Sequence, residues 1–376
     1  MDESNTIKEF SYVGIGRIVT IALNAIFYLV LAALIEPEIF GQISVIVALA
    51  STFSIISLFG FSLSLQVYLA KNNLSVVEGI ITLFIITTTA ASLILLVIDQ
   101  IAALLCASLS FYMMSQSYFL GQKQYKKFMI DSILKSVAFF IIPLIFYFPF
   151  GISGIIIGMA ISNFVGSLPF YRHLKIRNLV GVRKYFKVLL HNFGVNAGNF
   201  LPIMIDKLAI VSIFGFFIVG VYQFNLQVLI ALSVLSGILG QYLISEESSG
   251  KRHRKLSLLV VLVSVVVTIV AIVIAPILVP IFYPKYVDGI QSLQIMLLAI
   301  IPKAIGTIFK SKQLARESTK IGYSAIVTIG TLLILIVFLG QLYGLIGLAI
   351  AVLATISANT LFFYILDRMS RQKTIL

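Results

Sequence analysis

Long apolar runs separated by short polar segments repeat along the whole chain. A helix needs about 20 apolar residues to cross a bilayer, and each run reaches that length. Only Asp99 and Gln100 interrupt the run 79–120. We divide it there because one helix of ~40 residues would be about twice as long as the bilayer is thick. The pattern predicts twelve transmembrane helices, at about 10–34, 40–65, 77–98, 100–120, 128–149, 151–171, 188–213, 216–244, 256–282, 290–310, 321–340 and 344–366.

The composition agrees with this pattern. Of the 376 residues, 60% are hydrophobic and only 11% are charged, whereas a soluble domain averages roughly a quarter charged residues. Twelve spans leave little chain for a soluble domain, which argues against a large extramembrane enzyme. The predicted fold class is therefore an all-α polytopic membrane protein.

Redox and metal chemistry have no obvious candidate residues. Cys106 is the single cysteine, which excludes an intramolecular disulfide and a CxxC-type zinc or iron–sulfur site. The three histidines, His173, His191 and His253, are too scattered along the chain to indicate a metal site. We therefore expect no cofactor and no metal.

The net charge of +13 is distributed very unevenly along the chain. If the N-terminus is placed inside, 22 of the 27 Lys and Arg residues fall in predicted internal segments, and Lys285 is the only one outside. Short cytoplasmic loops retain Lys and Arg, so this asymmetry predicts that both termini are cytoplasmic. The protein is expected to be a multi-pass protein of the cytoplasmic (inner) membrane, with no nucleic-acid partner.

An internal repeat relates the sixth and twelfth predicted spans. At a constant offset of 193 residues, Gly151, Gly154, Ile157, Leu168, Phe170 and Tyr171 match Gly344, Gly347, Ile350, Leu361, Phe363 and Tyr364. Gly41 and Gly60 are placed in the second span as Gly220 and Gly240 are in the eighth. The repeat predicts two parallel six-helix lobes, 1–171 and 188–376, joined by a basic cytoplasmic linker, 172–187.

Several short sequences resemble one transporter family. They are Pro37, Glu38, Phe40, Gly41 and Gly60 in the first half, and Asp206-Lys207, FGFFIVGVYQFNLQV, PIFYPKY and GLIGLAIA in the second. The chain is similar to the polysaccharide flippases of the multidrug, oligosaccharidyl-lipid and polysaccharide (MOP) exporter superfamily. The resemblance implies two six-helix bundles around a central cavity, which move a lipid-linked saccharide across the membrane.

Five ionisable residues lie inside the predicted spans: Arg17, Lys135, Asp206, Lys207 and Lys303. A charge at bilayer depth costs a few kcal/mol, so each should face a cavity or a partner. Arg17 can instead snorkel to the cytoplasmic interface. Lys135 can pair with Asp131, four residues earlier on the same helix. Lys303 follows Pro302, which bends the helix and frees a carbonyl for a neighbouring group.

Asp206 and Lys207 are adjacent and therefore project about 100° apart around their helix. We expect them to pair poorly with each other, so that at least one finds a partner elsewhere in the bundle. The alternative to a cavity role is one interhelical bridge that holds the bundle together.

Secondary polar candidates lie near these charges along the chain. Asn24 follows Arg17 by two turns on the same face, and Asn196 and Asn199 precede Asp206. Asn225 belongs to the polar set of the eighth span. Amides of this kind can bind sugar hydroxyls, but they also commonly join helices.

Four buried cations against one clear carboxylate predict a basic cavity. Arg and Lys form charge-assisted hydrogen bonds to phosphate oxygens, so the predicted cargo is an oligosaccharide on a polyprenyl diphosphate carrier. The chain is then a flippase for surface polysaccharide or glycan synthesis, working by alternating access among membrane lipids and linked in function to glycosyltransferases or a polymerase. It is not expected to be an enzyme, and it has no Walker sequence GxxxxGK followed by Ser or Thr.

Two other functions are kept as alternatives. A MATE-like exporter of small molecules or drugs has the same fold, but cation-coupled export of cationic drugs calls for carboxylates in the spans. A membrane glycosyltransferase or polymerase is less favoured, because the predicted external loops are too short to carry a catalytic site.

Overall fold

A computed structural model of the chain describes residues 3–172, 174, 185–248, 254–315 and 323–372, which form helices and no strand. Most of the predicted linker 172–187 lies outside these residues. The α-helices are α1 (Glu3–Leu34), α2 (Pro37–Leu58), α3 (Phe61–Ala70), α4 (Leu74–Ile98), α5 (Gln100–Gly121), α6 (Tyr125–Tyr171), α7 (Phe186–Phe200), α8 (Pro202–Ser248), α9 (Arg254–Phe282), α10 (Ile290–Leu297), α11 (Ile300–Ala315) and α12 (Tyr323–Gln372), with a 3-10 helix at Pro284–Gly289.

Eight stretches of the described helices are long and apolar enough to cross a membrane. They also expose large apolar side chains: Val97 is 86% exposed and Phe148 is 85% exposed. Such a surface is stable in lipid, where backbone polar groups must be paired within the helix. The predicted multi-pass, all-helical class is confirmed, while the number of spans, the orientation and the identity of the membrane stay predictions.

Glycines break three of the long helices. Gly151 in α6 (φ 57°, ψ −137°), Gly215 in α8 (φ 78°, ψ 179°) and Gly344 in α12 (φ 55°, ψ −131°) have non-helical backbone. Glycine adopts positive φ without the clash that a β-carbon brings. Each break lies at a predicted boundary between two successive spans, so each of these helices has a first part and a second part.

The internal repeat is visible at two of these breaks. Gly151 and Gly344, which are 193 residues apart, have nearly the same φ and ψ. A β-carbon on Gly154 would collide with the carbonyl oxygen of Phe146, and one on Gly347 would collide with that of Leu339. Phe146 and Leu339 are again 193 residues apart, so the same turn and the same close approach occur twice.

The expected break at Asp99 is also present. The α4 helix ends at Ile98, and Asp99 is extended (φ −155°, ψ 115°). Its Oδ1 accepts hydrogen bonds from the backbone N–H groups of Ile101 at 2.9 Å and Ala102 at 2.8 Å. Asp99 therefore caps α5, which is the usual role of an aspartate before a helix.

The predicted second span, 40–65, is not one continuous helix. It is interrupted where Phe59 and Gly60 have positive φ, 38° and 75°. A β-carbon on Gly60 would lie 2.6 Å from the carbonyl oxygen of Leu189 in α7, and the ring of Phe59 stacks on Phe193 with 5.2 Å between centroids. The break lets α7 cross directly over Gly60.

The chain forms two compact units that do not follow chain order. Unit 1 contains Met1–Phe27 and Ile43–Ile205, and unit 2 contains Tyr28–Gln42 and Asp206–Leu376. The short segment Tyr28–Gln42 therefore packs with the later part of the chain, while α7 packs with the earlier part. The two predicted lobes, 1–171 and 188–376, stay a prediction.

Within unit 2, Gly41 of α2 and Gly220 of α8 allow their helices to touch. A β-carbon on Gly41 would collide with the carbonyl oxygen of Phe216, and one on Gly220 would collide with that of Pro37. Pro37 and Phe216 are 179 positions apart, as are Gly41 and Gly220. The contact is thus the same from both sides, as a two-fold relation between repeated segments requires.

Candidate functional site

A polar cluster in unit 1 lies where α1, α5 and α6 meet. Gly16 allows α1 to approach α6, because a β-carbon there would lie 3.1 Å from Cα of Met129. One turn further, Ser136 Oγ donates to Thr20 Oγ1 at 3.0 Å. These contacts place one face of α1 beside the first part of α6, which carries Lys135.

Lys135 is only 5% exposed, and its ammonium group lies against aromatic rings. Nζ is 4.1 Å from the ring centroid of Phe139 and 5.0 Å from that of Tyr112. Gly166 makes room for this arrangement, since a β-carbon there would lie 2.9 Å from both Lys135 Cβ and the Tyr112 ring. Within the described residues, no carboxylate oxygen lies within 4.0 Å of Nζ.

Asp131 does not form the expected ion pair with Lys135. Its Oδ2 instead accepts a hydrogen bond from Gln116 Nε2 at 2.6 Å, and Gln116 Oε1 accepts one from Ser132 Oγ at 2.9 Å. The side chain of Asp131 is directed to α5, whereas that of Lys135 extends toward Phe139, one turn further along α6. The spacing permits the pair, but Asp131 contacts Gln116 and Lys135 contacts Phe139.

Arg17 and Asn24 lie on nearly the same face of α1, roughly 20° apart around the helix. Arg17 is exposed, and no described carboxylate lies within ion-pair distance of it. The buried Oδ1 of Asn24 has no hydrogen-bond partner in the described part of the chain. Unit 1 thus carries two cations, Arg17 and Lys135, that form no ion pair with a described carboxylate.

Asp206 and Lys207 form a buried cluster with Tyr222 in unit 2. Lys207 Nζ lies 3.1 Å from Asp206 Oδ1, and Tyr222 OH donates to Asp206 Oδ2 at 2.7 Å. Asp206 and Lys207 are 2% and 4% exposed. Tyr222 comes from the second part of α8, so the cluster joins the two parts of that helix across the break at Gly215.

The expectation that Asp206 and Lys207 pair poorly with each other was wrong. The flexible Lys207 stem brings Nζ back to Oδ1, which also accepts the backbone N–H of Lys207 at 2.8 Å. The expected partner elsewhere in the bundle is present as Tyr222. The charges of Asp206 and Lys207 therefore cancel locally.

Lys303 is half-buried on α11 in unit 2. No described carboxylate lies within 4.0 Å of its Nζ. The carbonyl of the preceding residue, Pro302, accepts a hydrogen bond from Thr360 Oγ1 of α12 at 2.7 Å. This carbonyl is not the one that Pro302 frees, which is that of Leu298 four residues earlier. Lys303 therefore remains without an ion-pair partner among the described residues.

The asparagine candidates mostly join helices. Asn196 Nδ2 donates to Ser62 Oγ of α3 at 3.0 Å. Asn225 Nδ2 donates to Ser292 Oγ of α10 at 2.8 Å, although the buried Oδ1 of Asn225 has no partner among the described residues. The side chain of Asn199 lies outside the described part of the structure.

Gln116, Tyr112 and Tyr222 were not among the sequence candidates. Gln116 is a large polar residue inside the predicted span 100–120, which is the signal that could have identified it. The two tyrosines carry no such signal, because tyrosine is common at helix ends and in cores. Only the packing shows that they meet Lys135 and Asp206.

No family model matches this sequence, and no curated protein matches it. Several solved structures do match its fold. The lipid II flippase MurJ, in an inward closed conformation, is 14% identical, with 98% of this chain and 88% of MurJ covered and a TM-score of 0.72. An inward-facing MATE multidrug transporter of the MOP superfamily is 12% identical over 93% of this chain and 94% of its own, with a TM-score of 0.67.

A mutant of the Vibrio cholerae MATE transporter VcmN matches over 99% of both chains, at 13% identity and a TM-score of 0.57. The chain has the fold of MOP transporters. At these identities the likeness establishes the fold and leaves the substrate open. By their descriptions, the named neighbours are transporters and a flippase.

Proposed function

We propose that the protein is a flippase that moves a polyprenyl diphosphate-linked oligosaccharide across the membrane by alternating access. The observation that carries the proposal is Lys135, a buried ammonium group whose described surroundings hold no carboxylate within 4.0 Å. An anionic cargo would supply the missing countercharge.

The energies favour this interpretation over a purely structural Lys135. Cation–π contacts such as those with Phe139 and Tyr112 contribute up to about 2 kcal/mol in a desolvated site. Burying an ammonium group costs several kcal/mol, even after relaxation. The rings therefore do not compensate for the burial, and a diphosphate would do so through charge-assisted hydrogen bonds.

The distribution of the other charges supports an anionic cargo. Asp206 neutralises Lys207, which leaves Arg17, Lys135 and Lys303 as the cations at predicted bilayer depth without a described carboxylate partner. Asp131 is the other carboxylate in these helices that could serve cation coupling, and it accepts a hydrogen bond from Gln116. Export of cationic drugs would need the reverse balance of charge.

The test is the variant Lys135→Met, which keeps most of the length of the side chain and removes its charge. We expect flipping of a polyprenyl diphosphate-linked oligosaccharide in proteoliposomes to fall by more than about tenfold, because a charge-assisted contact to phosphate is lost. Unfolding in detergent should not become easier, since an uncompensated buried charge has been removed. Lys135→Arg should retain part of the activity.

Lys285→Met is the matched control. Lys285 forms an exposed pair with Glu36 at 2.9 Å, and exposed pairs contribute little to stability. Its loss should leave flipping unchanged. Normal flipping by Lys135→Met would overturn the proposal. If cells that express the wild-type protein accumulate less of a cationic drug than cells without it, while their surface glycan is the same, the exporter function would be favoured instead.

A further inference from the structure

Unit 1 contains a pocket at the end of the bundle where α5 ends and where α6 both begins and ends. Its volume is about 570 Å³. It is lined by Gln124 and Lys127 from the start of α6 and by Pro169 and Arg172 from the end of the same helix. Three lysines, Lys123, Lys126 and Lys127, lie in the turn before α6 and in its first turn, a segment that is predicted to be cytoplasmic.

The lining has a basic rim and apolar walls. Lys127 and Arg172 are exposed, and neither forms an ion pair with a described carboxylate. Ile130 and Leu134 follow Lys127 along α6 toward the predicted bilayer interior and are 43% and 60% exposed. A ligand that suits both parts has an anionic head at the rim and an apolar chain beside these two side chains.

Asp131 also lines the pocket, so the lining carries two cations and one carboxylate. The net charge of +1 suits a single phosphodiester better than a zwitterionic headgroup or a diphosphate. The bond from Gln116 holds one oxygen of Asp131, and its carboxylate is an acceptor for headgroup hydroxyls. The volume suits a headgroup with the first part of one chain, not a whole two-chain lipid.

We propose that this pocket binds the glycerol phosphate headgroup and proximal chain of an anionic phospholipid of the inner leaflet. Basic pockets between membrane helices on the cytoplasmic side commonly bind lipid head groups. The pocket lies within one unit and at one end of its helices, so its occupant stays in that leaflet. Lys135, the residue proposed to bind the cargo, does not line this pocket.

The experiment is native mass spectrometry of the full-length protein titrated with phosphatidylglycerol. We expect the wild type to retain the lipid, and Lys127→Gln/Arg172→Gln to weaken its binding by at least about tenfold through the loss of two charge-assisted contacts. Ile130→Trp, which keeps both charges and fills the apolar wall, should weaken it as well. The wall variant keeps the test valid if the charge variant fails to fold.

Lys123→Gln/Lys126→Gln is the matched control, because both lysines are exposed at or just before the start of α6 and neither lines the pocket. Its lipid binding should equal that of the wild type. Equal weakening in this control would show only general attraction to basic loops and would overturn the proposal.

The competing ligands decide the chemical class. Phosphatidylethanolamine, phosphatidylcholine, inorganic phosphate and a polyprenyl diphosphate should each displace phosphatidylglycerol poorly. Displacement by inorganic phosphate at similar concentration would make the site a simple anion site, and displacement by the diphosphate would make it a cargo site. Either result would overturn the lipid proposal without bearing on the effect of Lys135→Met on flipping.

Discussion

Lys135 and Lys207 are both buried lysines, but their surroundings differ. Lys207 has a carboxylate 3.1 Å away, and a tyrosine hydroxyl bonds the other oxygen of that carboxylate. Lys135 has two aromatic rings and no described carboxylate within 4.0 Å. The charge of Lys207 already has a countercharge within the protein, whereas the charge of Lys135 is available to an anionic ligand. We therefore propose a structural role for Lys207 and a role in cargo binding for Lys135.

Removal of one member of the cluster formed by Asp206, Lys207 and Tyr222 should lower the free energy of unfolding. Asp206→Asn removes the carboxylate charge 3.1 Å from the buried Lys207 ammonium, and we expect the free energy of unfolding to fall by about 3–5 kcal/mol. Tyr222→Phe should cost less, about 1–3 kcal/mol, because it removes one hydrogen bond. Unfolding in a fixed detergent measures both.

The double variant Asp206→Asn/Lys207→Met is the control for this assignment. It removes both charges, so most of the lost stability should return. If the double variant is as unstable as Asp206→Asn, the two residues do not stabilise the fold as a pair. Normal flipping in the double variant would agree with a structural role for the pair.

For single residues, the sequence predicted which charged side chains lie inside the membrane spans, but it did not predict their partners. Asn196 was a secondary polar candidate and donates to Ser62. The spacing allowed Asp131 to pair with Lys135, but Asp131 bonds Gln116. Partners of this kind lie 15 to 134 positions away in the chain, and nothing in a single sequence indicates which distant residues will meet.

Helix breaks and helix crossings depend on glycines at defined positions. Apolar periodicity predicted the boundaries at Gly151, Gly215 and Gly344, because each follows the end of an apolar run of span length. The break at Gly60 was missed, since the run 40–65 has the length of one span. There the crossing of α7 decides the backbone, and that contact comes from a helix more than a hundred residues later.

The repeated turn predicts matched effects of two substitutions. Gly151→Ala and Gly344→Ala should each lower the free energy of unfolding by about 1–3 kcal/mol, because both positions have backbone conformations that a β-carbon disfavours. Unfolding in the same detergent compares them directly.

Gly330→Ala is the control for these turns. Gly330 lies inside the first part of α12, and a β-carbon there would have nothing within 4 Å. Alanine favours a helix by up to about 1 kcal/mol over glycine, so this variant should be as stable as the wild type or more stable. A large difference between the costs at Gly151 and Gly344 would contradict the structural repeat.

For the whole molecule, the basic residues predict how the chain lies in the membrane. Cys106 is fully buried, so it should not react with a membrane-impermeant thiol reagent, and Cys106→Ser gives a clean background. In that background, Lys285→Cys should be labelled in intact cells. Lys126→Cys should be labelled only after the inner face has been exposed.

Labelling of Lys126→Cys in intact cells would reverse the predicted orientation. It would also move the anionic lipid pocket to the outer leaflet, because Lys127 is the next residue. Labelling of both positions from the same side would show that the number of spans between them is wrong. Each result is independent of the substrate.

The sequence alone determined the properties that depend on short stretches of chain. Apolar runs of span length specified a helical membrane protein, the asymmetry of Lys and Arg predicted an orientation, and the glycine-rich repeat marked equivalent turns. These properties are local because each helix satisfies its own backbone hydrogen bonds within lipid. The tertiary structure decided that Asp206 neutralises Lys207, that α7 packs over Gly60 and that Lys135 lies against aromatic rings. Those outcomes depend on which distant surfaces pack together, which is why they became visible only in three dimensions.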